Sequence, residues 1–372
     1  GIVTARLAEP GSTVVVRFGS GATRSATVAP DGTWTVTVPA GEVPAGQNNV
    51  TLTATATDAA GNSRTLTETV AVDTTVVNFA ATSGTIGGDG TLNAAEVAAG
   101  MTMSGTAEVG ATLVIRLANG SSHTVTVGAD GKWSTTFTAA ELPTGEVSSS
   151  VTVTATDLAG NTASFTQNFA VDTVAPKDPW ITNDAGTGNL ISGIATAAAP
   201  GDMDFFTVAQ NGTVTELTPQ VTFNGDVMVN GHNVPSEWAF FSTPVQDGSY
   251  LVIRDQDAAG NESSTLYIRN TTGEVVVDAS RAGLSGFDFG TIDLTAADAS
   301  LTLTEAQINA LTGTDKQLTV TGDTDDVVNL VGGVATGTTT MIDGETYKLY
   351  LVGSGGASVL VDDDITITTA AV

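Results

Sequence analysis

The chain has 372 residues, with 40 acidic side chains, 12 basic side chains and no cysteine. This length predicts two to four domains rather than a single hydrophobic core. A formal charge of −28 argues against nucleic acid or an anionic membrane as a partner, because both attract clustered Lys and Arg, and it suits divalent cations. No run of about 18 apolar residues occurs, so we expect no membrane insertion. Without disulfides to brace the domains, bound metal is the candidate for that role.

An internal repeat with an offset of 99 residues and no gap runs through the first half of the chain. The turn Asp31–Trp34 corresponds to Asp130–Trp133, and the loop Asp58–Asn62 corresponds to Asp157–Asn161. So many matched turn and core positions indicate two copies of one module of about a hundred residues. Further matches are Glu9–Gly11 with Glu108–Gly110, Val14–Arg17 with Leu113–Arg116, and Val72–Thr74 with Val171–Thr173.

Each copy has the pattern of an all-β module. Apolar residues alternate with Thr and other polar residues, which predicts strands with one buried face. Turn-forming residues interrupt the pattern at intervals of roughly 8–12 residues, as in a β-sandwich. In the first copy the predicted strands are Thr13–Phe18, Thr33–Val38, Val50–Thr57 and Thr65–Val72.

A third copy is altered. Ser192–Gly193 and Asp257–Asn261 match the second copy at offsets of 88 and 100 residues, so 12 extra residues lie between them. From about Asp278 the pattern changes again, with a predicted short helix that Thr304 caps and that extends to Leu311. Strands are then predicted around 318–320, 327–330, 347–352 and 358–361.

Short motifs of the second copy carry a family resemblance. They are Gly105–Gly110, Asp130–Trp133, Asp157–Asn161 and Val171–Pro176, with Asp89–Glu96 as a further family-like string. These motifs resemble the bacterial immunoglobulin-like repeats of giant RTX adhesins, the LapA-like and Bap-like biofilm proteins that type I secretion exports. The segment from Gly286 to Asp362 is similar to the module that such adhesins carry just before their RTX repeats.

The resemblance implies a secreted protein of the bacterial cell surface that depends on calcium. The fold class that we predict is all-β, with tandem Ig-like β-sandwich modules in an elongated array and a final mostly-β module with a short helix. We expect a fragment of a longer protein and a monomer, with neighbouring modules of the same chain as partners. The predicted domains are residues 1–73 (Ig-like, truncated at its N-terminus), 74–173 (Ig-like), 174–277 (divergent Ig-like with an insertion) and 278–372 (β-rich).

Sandwich topology predicts where calcium would bind. Successive hairpin loops alternate between the two ends of a seven-stranded module, which places Glu108 and Asp157 at the end where the chain enters the second module. Asp73, which closes the first module, arrives at the same end. Calcium takes six to eight oxygen ligands, so this convergence predicts a calcium site. The candidate ligands are Asp73, Glu108, Asp157 and Asn161, with Asp89, Asn93 and Glu96 from the incoming segment.

The same argument predicts a second junction, at Asp172 with Asp257 and Asn261. Thr196 stands there at the position of Glu108, and Asp202 or Asp204 could replace the missing carboxylate. In the first module Glu9 and Asp58 hold the corresponding positions without an upstream partner, so we expect that site to be partial or empty.

A purely structural interpretation of these acids stays open. Asp-x-x-Gly-Asn is also an ordinary turn, in which Asp accepts amide hydrogen bonds and Gly takes a positive φ. Asp89–Glu96 departs from the EF-hand spacing, since its Glu follows the Asp by seven residues rather than eleven. The acids of the last module are expected in solvated loops: Asp323, Asp325, Asp326, Asp362, Asp363 and Asp364.

Catalysis is not expected. The chain has two histidines and no cysteine, and we find no nucleophile elbow, phosphate-binding glycine loop or histidine-based zinc motif. His123 is expected to be an exposed strand residue. Trp34 and Trp133 follow hairpin turns at the same repeat position, which predicts local packing.

Two functions fit the sequence. The first is a stalk region of a secreted adhesin that calcium stiffens, with a role in bacterial attachment and biofilm formation. The alternative is a module that binds a surface glycan or peptide and is centred on residues 200–250. Its candidate contact residues are His232, Trp238, Phe240, Phe241 and Tyr250.

Overall fold

The computed structural model describes residues 2–6, 8–197, 203–313 and 316–370. The chain divides into two compact units, an N-terminal unit (Gly1–Val171) and a C-terminal unit (Asp172–Val372). The predicted fold class is confirmed: strands dominate, Ig-like β-sandwich modules follow one another, and one short helix lies in the last part of the chain.

The first module of the N-terminal unit is a two-sheet sandwich. β1 pairs with β4, and the second sheet has the order β3-β2-β5-β6. Alternate residues of β2 and β4 face inward, so that Val14, Val16, Trp34 and Val36 form the core. Its strands are β1 (Ile2–Arg6), β2 (Thr13–Phe18), β3 (Arg24–Thr27), β4 (Thr33–Thr37), β5 (Gln47–Thr57) and β6 (Ser63–Asp73).

The second module repeats this arrangement and adds the helix α1. Its sheets have the orders β11-β10-β13-β14-β8 and β12-β9-β7. β10, β13 and β14 begin and end 99 residues after β2, β5 and β6, which confirms the repeat. The elements are β7 (Ala80–Ala81), β8 (Thr91–Leu92), α1 (Ala94–Ala99), β9 (Met101–Thr106), β10 (Thr112–Leu117), β11 (Ser122–Thr126), β12 (Lys132–Phe137), β13 (Glu146–Thr156) and β14 (Thr162–Asp172).

Among the described residues, more buried hydrophobic side chains form the core of the second module than that of the first. Leu113, Ile115, Phe137 and Val153 are fully buried in it. Trp133 also lies in this core, as Trp34 does in the first module, which confirms the predicted local packing of both indoles.

The C-terminal unit begins with a four-stranded sheet of order β15-β16-β20-β19. Its outermost strands are β15 and β19, and a β-bulge interrupts the pairing of β19 with β20 between residues 219 and 221. The strands of this first half of the unit are β15 (Ile181–Thr187), β16 (Leu190–Ala197), β17 (Asp204–Val208), β18 (Val214–Leu217), β19 (Pro219–Val229), β20 (His232–Val245), β21 (Tyr250–Gln256) and β22 (Glu262–Val277).

An eleven-stranded sheet joins this half of the unit to the rest. It runs β18-β17-β21-β22-β23-β24-β28-β27-β26, with β25 paired to β23 and to β29. The remaining elements are β23 (Phe289–Leu303), α2 (Glu305–Leu311), β24 (Gln317–Thr321), β25 (Val327–Val331), β26 (Gly333–Ile342), β27 (Glu345–Val352), β28 (Ala357–Asp362) and β29 (Thr366–Ala370), with short 3-10 helices at Ala40–Glu42, Ala139–Glu141 and Leu284–Gly286.

The boundary predicted between residues 277 and 278 lies inside this large sheet. β22 and β23, on either side of it, pair in parallel. Leu266 from before the boundary and Leu294 and Val320 from after it belong to one hydrophobic core. The division into a third and a fourth domain stays a prediction. Residues on both sides of this boundary share one sheet and one hydrophobic core.

In the part of the chain that the structure describes, neither α1 nor α2 is long and apolar enough to cross a membrane.

Candidate metal centre

Three carboxylates of the N-terminal unit meet where the first module joins the second. One carboxylate oxygen from each of Asp73, Glu108 and Asp157 lies within 4.8 Å of the other two. Two oxygens that bind one calcium ion at the usual 2.3–2.6 Å can be about 5 Å apart at most, so the spacing fits a shared ion. The structure therefore brings together the three acids that the sequence placed at one end of the module, and their role as ligands stays a prediction.

The secondary structure around each acid explains the convergence. Asp73 is the last residue of β6, Glu108 lies in the loop between β9 and β10, and Asp157 directly follows β13. The Asp157 loop is held shut by Asn161, whose backbone N–H donates to Asp157 Oδ1 and whose side-chain amide donates to Oδ2, both at 2.8 Å. Gly160 allows the tight turn with a φ of +90°.

Two amide side chains link the three carboxylates. Asn161 Nδ2 donates to Asp73 Oδ1 at 3.2 Å. Gln47 Nε2 donates to Asp73 Oδ2 at 3.2 Å and to Glu108 Oε1 at 2.7 Å. Gln47 was not among the predicted ligands, because it is the first residue of an ordinary alternating strand and no motif marks it.

The carboxylates are short of positive partners. Among the described residues, no Lys, Arg or His forms an ion pair with any of the three. Glu108 Oε2 is buried and accepts no hydrogen bond from a described residue. A buried acceptor without a partner costs about 1–3 kcal/mol, more when it is charged, so this oxygen suits a cation.

Asp157 stays ionised in spite of its burial. Asp157 is only 6% exposed, and burial alone would raise the pKa of its carboxyl. Hydrogen bonds from Asn161, Ala159 and Gly160 outweigh that effect and lower the pKa. A metal ion at this position would therefore meet a carboxylate rather than a carboxylic acid.

The other predicted ligands of the incoming segment make local contacts instead. Asn93 and Glu96 form a capping box at the start of α1, in which Asn93 Oδ1 accepts the Glu96 amide at 2.9 Å and Glu96 Oε2 accepts the Asn93 amide at 3.1 Å. Asp89 Oδ1 accepts the Thr91 amide at 2.8 Å. Neither Asp89 nor Glu96 belongs to the group of Asp73, Glu108 and Asp157. A ligand role for Asp89, Asn93 and Glu96 stays a prediction.

A pair of variants separates the capping role from a ligand role. Asn93→Ala should lower the free energy of unfolding by about 1 kcal/mol, because the cap hydrogen bond to α1 is lost. Glu96→Gln should leave stability unchanged, because Gln serves in a capping box as Glu does. Thermal melts with and without calcium provide the measurement. If Glu96→Gln weakened the response to calcium, Glu96 would be a ligand after all.

At the second predicted junction, Asn261 bridges two residues as Asn161 does at the first, but no carboxylate stands at the position of Glu108. Asn261 Nδ2 donates to Asp257 Oδ2 at 2.8 Å and to the backbone carbonyl of Asp172 at 3.1 Å. Thr196, at the position of Glu108, is buried and contacts Met203 Sδ. Asp204 forms an ion pair with Arg254 at 2.6 Å, and Asp202 lies outside the described residues. A ligand role for Asp172, Asp257 and Asn261 stays a prediction.

In the first module, Asp58 closes its own loop by accepting hydrogen bonds from Ala60 and Asn62. These bonds, led by the one from the Asn62 side chain, lower the pKa of Asp58. Glu9 is exposed. Of the predicted metal ligands, the first module contributes only Glu9 and Asp58 to this position.

Two of the six acids expected in solvated loops are buried, which corrects that prediction. Asp326 and Asp362 are 0% and 3% exposed. Asp326 accepts the Ala299 amide on Oδ1 and the Asp323 amide on Oδ2, both at 2.9 Å. Burial raises the pKa of Asp326 to about 6. Asp326 therefore ties a loop to β23, and it forms a close acidic group with the exposed Asp323 and Asp325.

His123 is also not the exposed strand residue that was expected. Its ring stacks on Phe137 with centroids 4.4 Å apart, and its nitrogens contact Thr135 Oγ1 at 2.6 Å and Glu141 Oε1 at 2.8 Å. The Glu141 pKa is lowered to about 2, chiefly by the Thr138 amide and then by His123. The histidine thus packs against the short 3-10 helix that follows β12.

The C-terminal unit contains a cleft of about 840 Å³. Thr265, Thr291 and Thr319 lie side by side on three parallel strands that line it. Asp293, 5% exposed, also lines it, and burial raises its pKa to about 6 against the opposing hydrogen bonds from Thr295.

The five residues within 200–250 that were predicted to contact a glycan or peptide lie in different environments. Phe241 and Tyr250 are buried in hydrophobic cores, and the Tyr250 hydroxyl accepts the Asp278 amide at 2.8 Å. His232 is exposed next to the turn between β19 and β20. Trp238 and Phe240 lie on the opposite face of β20 from Phe241, and only these two form part of an aromatic surface.

Comparison with known proteins bears on the first two modules. Residues 3–73 and 80–172 match the family described as Bacterial Ig domain. The match covers less than half of the chain and ends where the altered third copy begins. No curated protein sequence matches the chain.

Several solved structures of bacterial adhesins are similar to this chain over different lengths. One concerns host cell surface retention of a 1.5-MDa bacterial ice-binding adhesin (22% identity, 72% of this chain and 88% of that chain, TM-score 0.36). Another is a Ca²⁺-stabilized adhesin that helps an Antarctic bacterium reach out and bind ice (21% identity, 99% and 94%, TM-score 0.33). A third is a bacterial immunoglobulin-like domain from the M. primoryensis ice-binding adhesin (34% identity, 27% and 97%, TM-score 0.19).

Proposed function

We propose that this chain is a spacer region of a secreted bacterial adhesin, stiffened by calcium, which holds a binding tip away from the cell surface for attachment and biofilm formation. The observation that carries the proposal is the convergence of Asp73, Glu108 and Asp157 at the junction of two Ig modules. Tandem modules without enzyme motifs suit a mechanical role, in which length and stiffness are the useful properties.

Calcium at this junction would act on the hinge itself. Asp73 ends the first module, whereas Glu108 and Asp157 belong to the second, so one ion bound to all three would tie the modules together. Without the ion, three carboxylates at close range repel one another and favour separation of the modules. A short linker alone leaves relative domain motion, which the bound ion would suppress.

The donor atoms favour calcium over other metals. All candidate ligands are oxygens, and the chain contains no cysteine for softer metals. Asn161 and Gln47 add side-chain amides that could turn their oxygens toward the ion, since amide orientation follows the local network. Calcium accepts such an irregular set of six to eight oxygens, whereas magnesium demands a near-octahedral set.

A location outside the cell is consistent with calcium binding. The resemblance to type I-secreted adhesins supports export and display on the bacterial surface, where calcium is abundant. Ligand binding to the folded form then adds to stability in a chain that has no disulfides. The partners in this proposal are calcium and the neighbouring modules of a monomeric chain.

Distance measurements across the junction test the stiffening directly. The natural chain has no cysteine, so Leu66→Cys and Val147→Cys, which are 59% and 41% exposed, would place one spin label on each module without background. Calcium should narrow the distribution of distances between the two labels, because the bound ion suppresses hinge motion between the first and second modules. Pulsed electron paramagnetic resonance provides the measurement.

The same labelled pair carrying Glu108→Gln is the control, and its distribution should stay broad with calcium present. An unmodified junction whose distribution has equal width in calcium and in chelator would contradict the proposed stiffening.

A further inference from the structure

One face of the four-stranded sheet in the C-terminal unit carries three neighbouring aromatic side chains, Phe223, Trp238 and Phe240. Trp238 lies opposite Phe223 in the pairing of β19 with β20, and Phe240 follows Trp238 by two residues on the same strand. The opposite face of β20 points into a hydrophobic core through Ala239 and Phe241. The three rings therefore lie on the face turned away from that core. We call them the aromatic platform.

The three rings are nearly parallel and are offset from one another, so they do not form a face-to-face column. Their centroids are 6.3 Å apart for Phe223–Trp238, 5.9 Å for Phe223–Phe240 and 5.6 Å for Trp238–Phe240. All three ring planes are parallel to within 17°. In a face-to-face column of three rings the longest separation would be twice the shortest. The nearly equal separations exclude such a column, and each ring is offset from the other two.

Small residues beneath the rings explain how they can lie along the sheet. Phe240 pairs with Gly193 on β16, and a Cβ at Gly193 would come within 2.7 Å of the Phe240 ring. Trp238 pairs with Ala195, which is fully buried. Gly225 lies close to the rings of Phe223 and Trp238. These neighbours have little or no side chain, so they leave room for the rings on this face of the sheet.

The platform leaves apolar surface open to solvent. Phe223 is 50% exposed, and the adjacent Val221, which pairs with Phe240, is 53% exposed. Trp238 and Phe240 are partly buried. Large contiguous patches of exposed apolar side chains mark binding sites, whereas apolar residues exposed singly are normal.

We propose that the aromatic platform binds a neutral glycan by stacking pyranose rings on Phe223, Trp238 and Phe240. The C–H groups on the flat face of a pyranose carry partial positive charge and are attracted to the electron-rich faces of aromatic rings. A chain with a formal charge of −28 disfavours acidic sugars. The exposed Asn183 lies in the same cross-strand row as Ala195 and Trp238 and offers an amide at the border for sugar hydroxyls.

This inference goes beyond the spacer role and is independent of calcium. The platform and the carboxylates of the first junction belong to different units of the chain. A failure of glycan binding would leave the calcium proposal intact, and a failure of calcium binding would leave the platform intact.

Binding measurements with defined sugars test the inference. The full chain should bind at least one member of a panel of neutral hexasaccharides built from glucose, mannose, galactose or xylose, measured by calorimetry in chelator. Phe223→Ala and Trp238→Ala should each weaken that binding by roughly tenfold, as the loss of an aromatic anchor does at other sites.

Met228→Ala is the matched control, because Met228 is 64% exposed on the same strand and has the opposite facing from Phe223. It should leave binding unchanged. Melting curves verify that Phe223→Ala folds, which its half-exposed position predicts. The inference is overturned if no sugar of the panel binds, if binding survives both aromatic substitutions, or if the platform instead captures a peptide that the sugars do not displace.

Discussion

Saturating calcium should raise the melting temperature of the N-terminal unit by roughly 5–10 °C relative to chelator. Binding to the folded form alone contributes about 2.7 kcal/mol when calcium stands at a hundred times its dissociation constant. For a unit of this size, each kcal/mol shifts the melting temperature by about 2–4 °C. Scanning calorimetry of the full chain, with calcium and then with chelator, would resolve the shift.

Glu108→Gln should abolish most of that shift. The substitution retains Oε1, which accepts the hydrogen bond from Gln47, but replaces the unpartnered Oε2 with a neutral amide group. In chelator the variant should melt at the same temperature as the natural protein or slightly above it, because one of three mutually repelling charges is gone. Relative to the natural protein, Glu108→Gln is therefore expected to be equally or more stable without calcium and less stable with calcium.

The repeat itself supplies the control. Glu9 stands 99 residues before Glu108, at the corresponding position of the first module, and it belongs to no group of three acids among the described residues. Glu9→Gln should leave the calcium response intact. A response to calcium that Glu108→Gln and Glu9→Gln reduced equally would point to general charge screening and would rule out a specific site at Asp73, Glu108 and Asp157.

Lowering the pH from 7 to 5 in chelator should stabilise the C-terminal unit by roughly 1 kcal/mol for each of two buried carboxyls. Burial raises the pKa of Asp293 and of Asp326 to about 6. An unfolded chain has a lower pKa for Asp, so the folded protein binds protons more tightly over this range. The added stability is present below the unfolded pKa and is lost as the pH rises through 6. The melting temperature of this unit should therefore rise on mild acidification.

Asp293→Asn should remove about half of that pH dependence, because Asn mimics the protonated carboxyl and keeps an Oδ1 acceptor for Thr295. Asp326→Asn is a poorer probe, since both oxygens of Asp326 accept backbone amides. The control is Asp343→Asn at an exposed turn with φ of +50°, a conformation that Asn tolerates. An unchanged pH profile in Asp293→Asn would show that the Asp293 carboxyl stays ionised when buried.

Much of the N-terminal unit could be predicted from the sequence. Alternating residues in Thr13–Phe18 and its copy 99 residues later predicted one-sided strands, and the strands lie there. The convergence of Asp73 with Asp157 followed from connectivity, since hairpins must place alternate loops at the same end of a sandwich. These features depend on local periodicity and chain direction, which a sequence displays.

Other features depend on residues that are distant in sequence and carry no motif. Gln47 joins Glu108 across 61 positions, and Phe223 joins the aromatic platform through pairing with Trp238. Asp326 looks like a loop acid until Ala299 on β23 is seen to donate to it. In the first module the Asp-x-x-Gly-Asn motif closes only its own loop at Asp58, whereas in the second the same motif lies beside Asp73 and Glu108.

The sequence by itself therefore determined the sandwich modules, their repeat and the end of the module where acids would gather. Only the tertiary structure decided which acids lie within reach of one ion, which are buried with a raised pKa, and which aromatic rings share a surface. The physical reason is that strand formation responds to neighbours two residues away, whereas coordination, burial and ring packing depend on pairings between strands that are far apart in the chain.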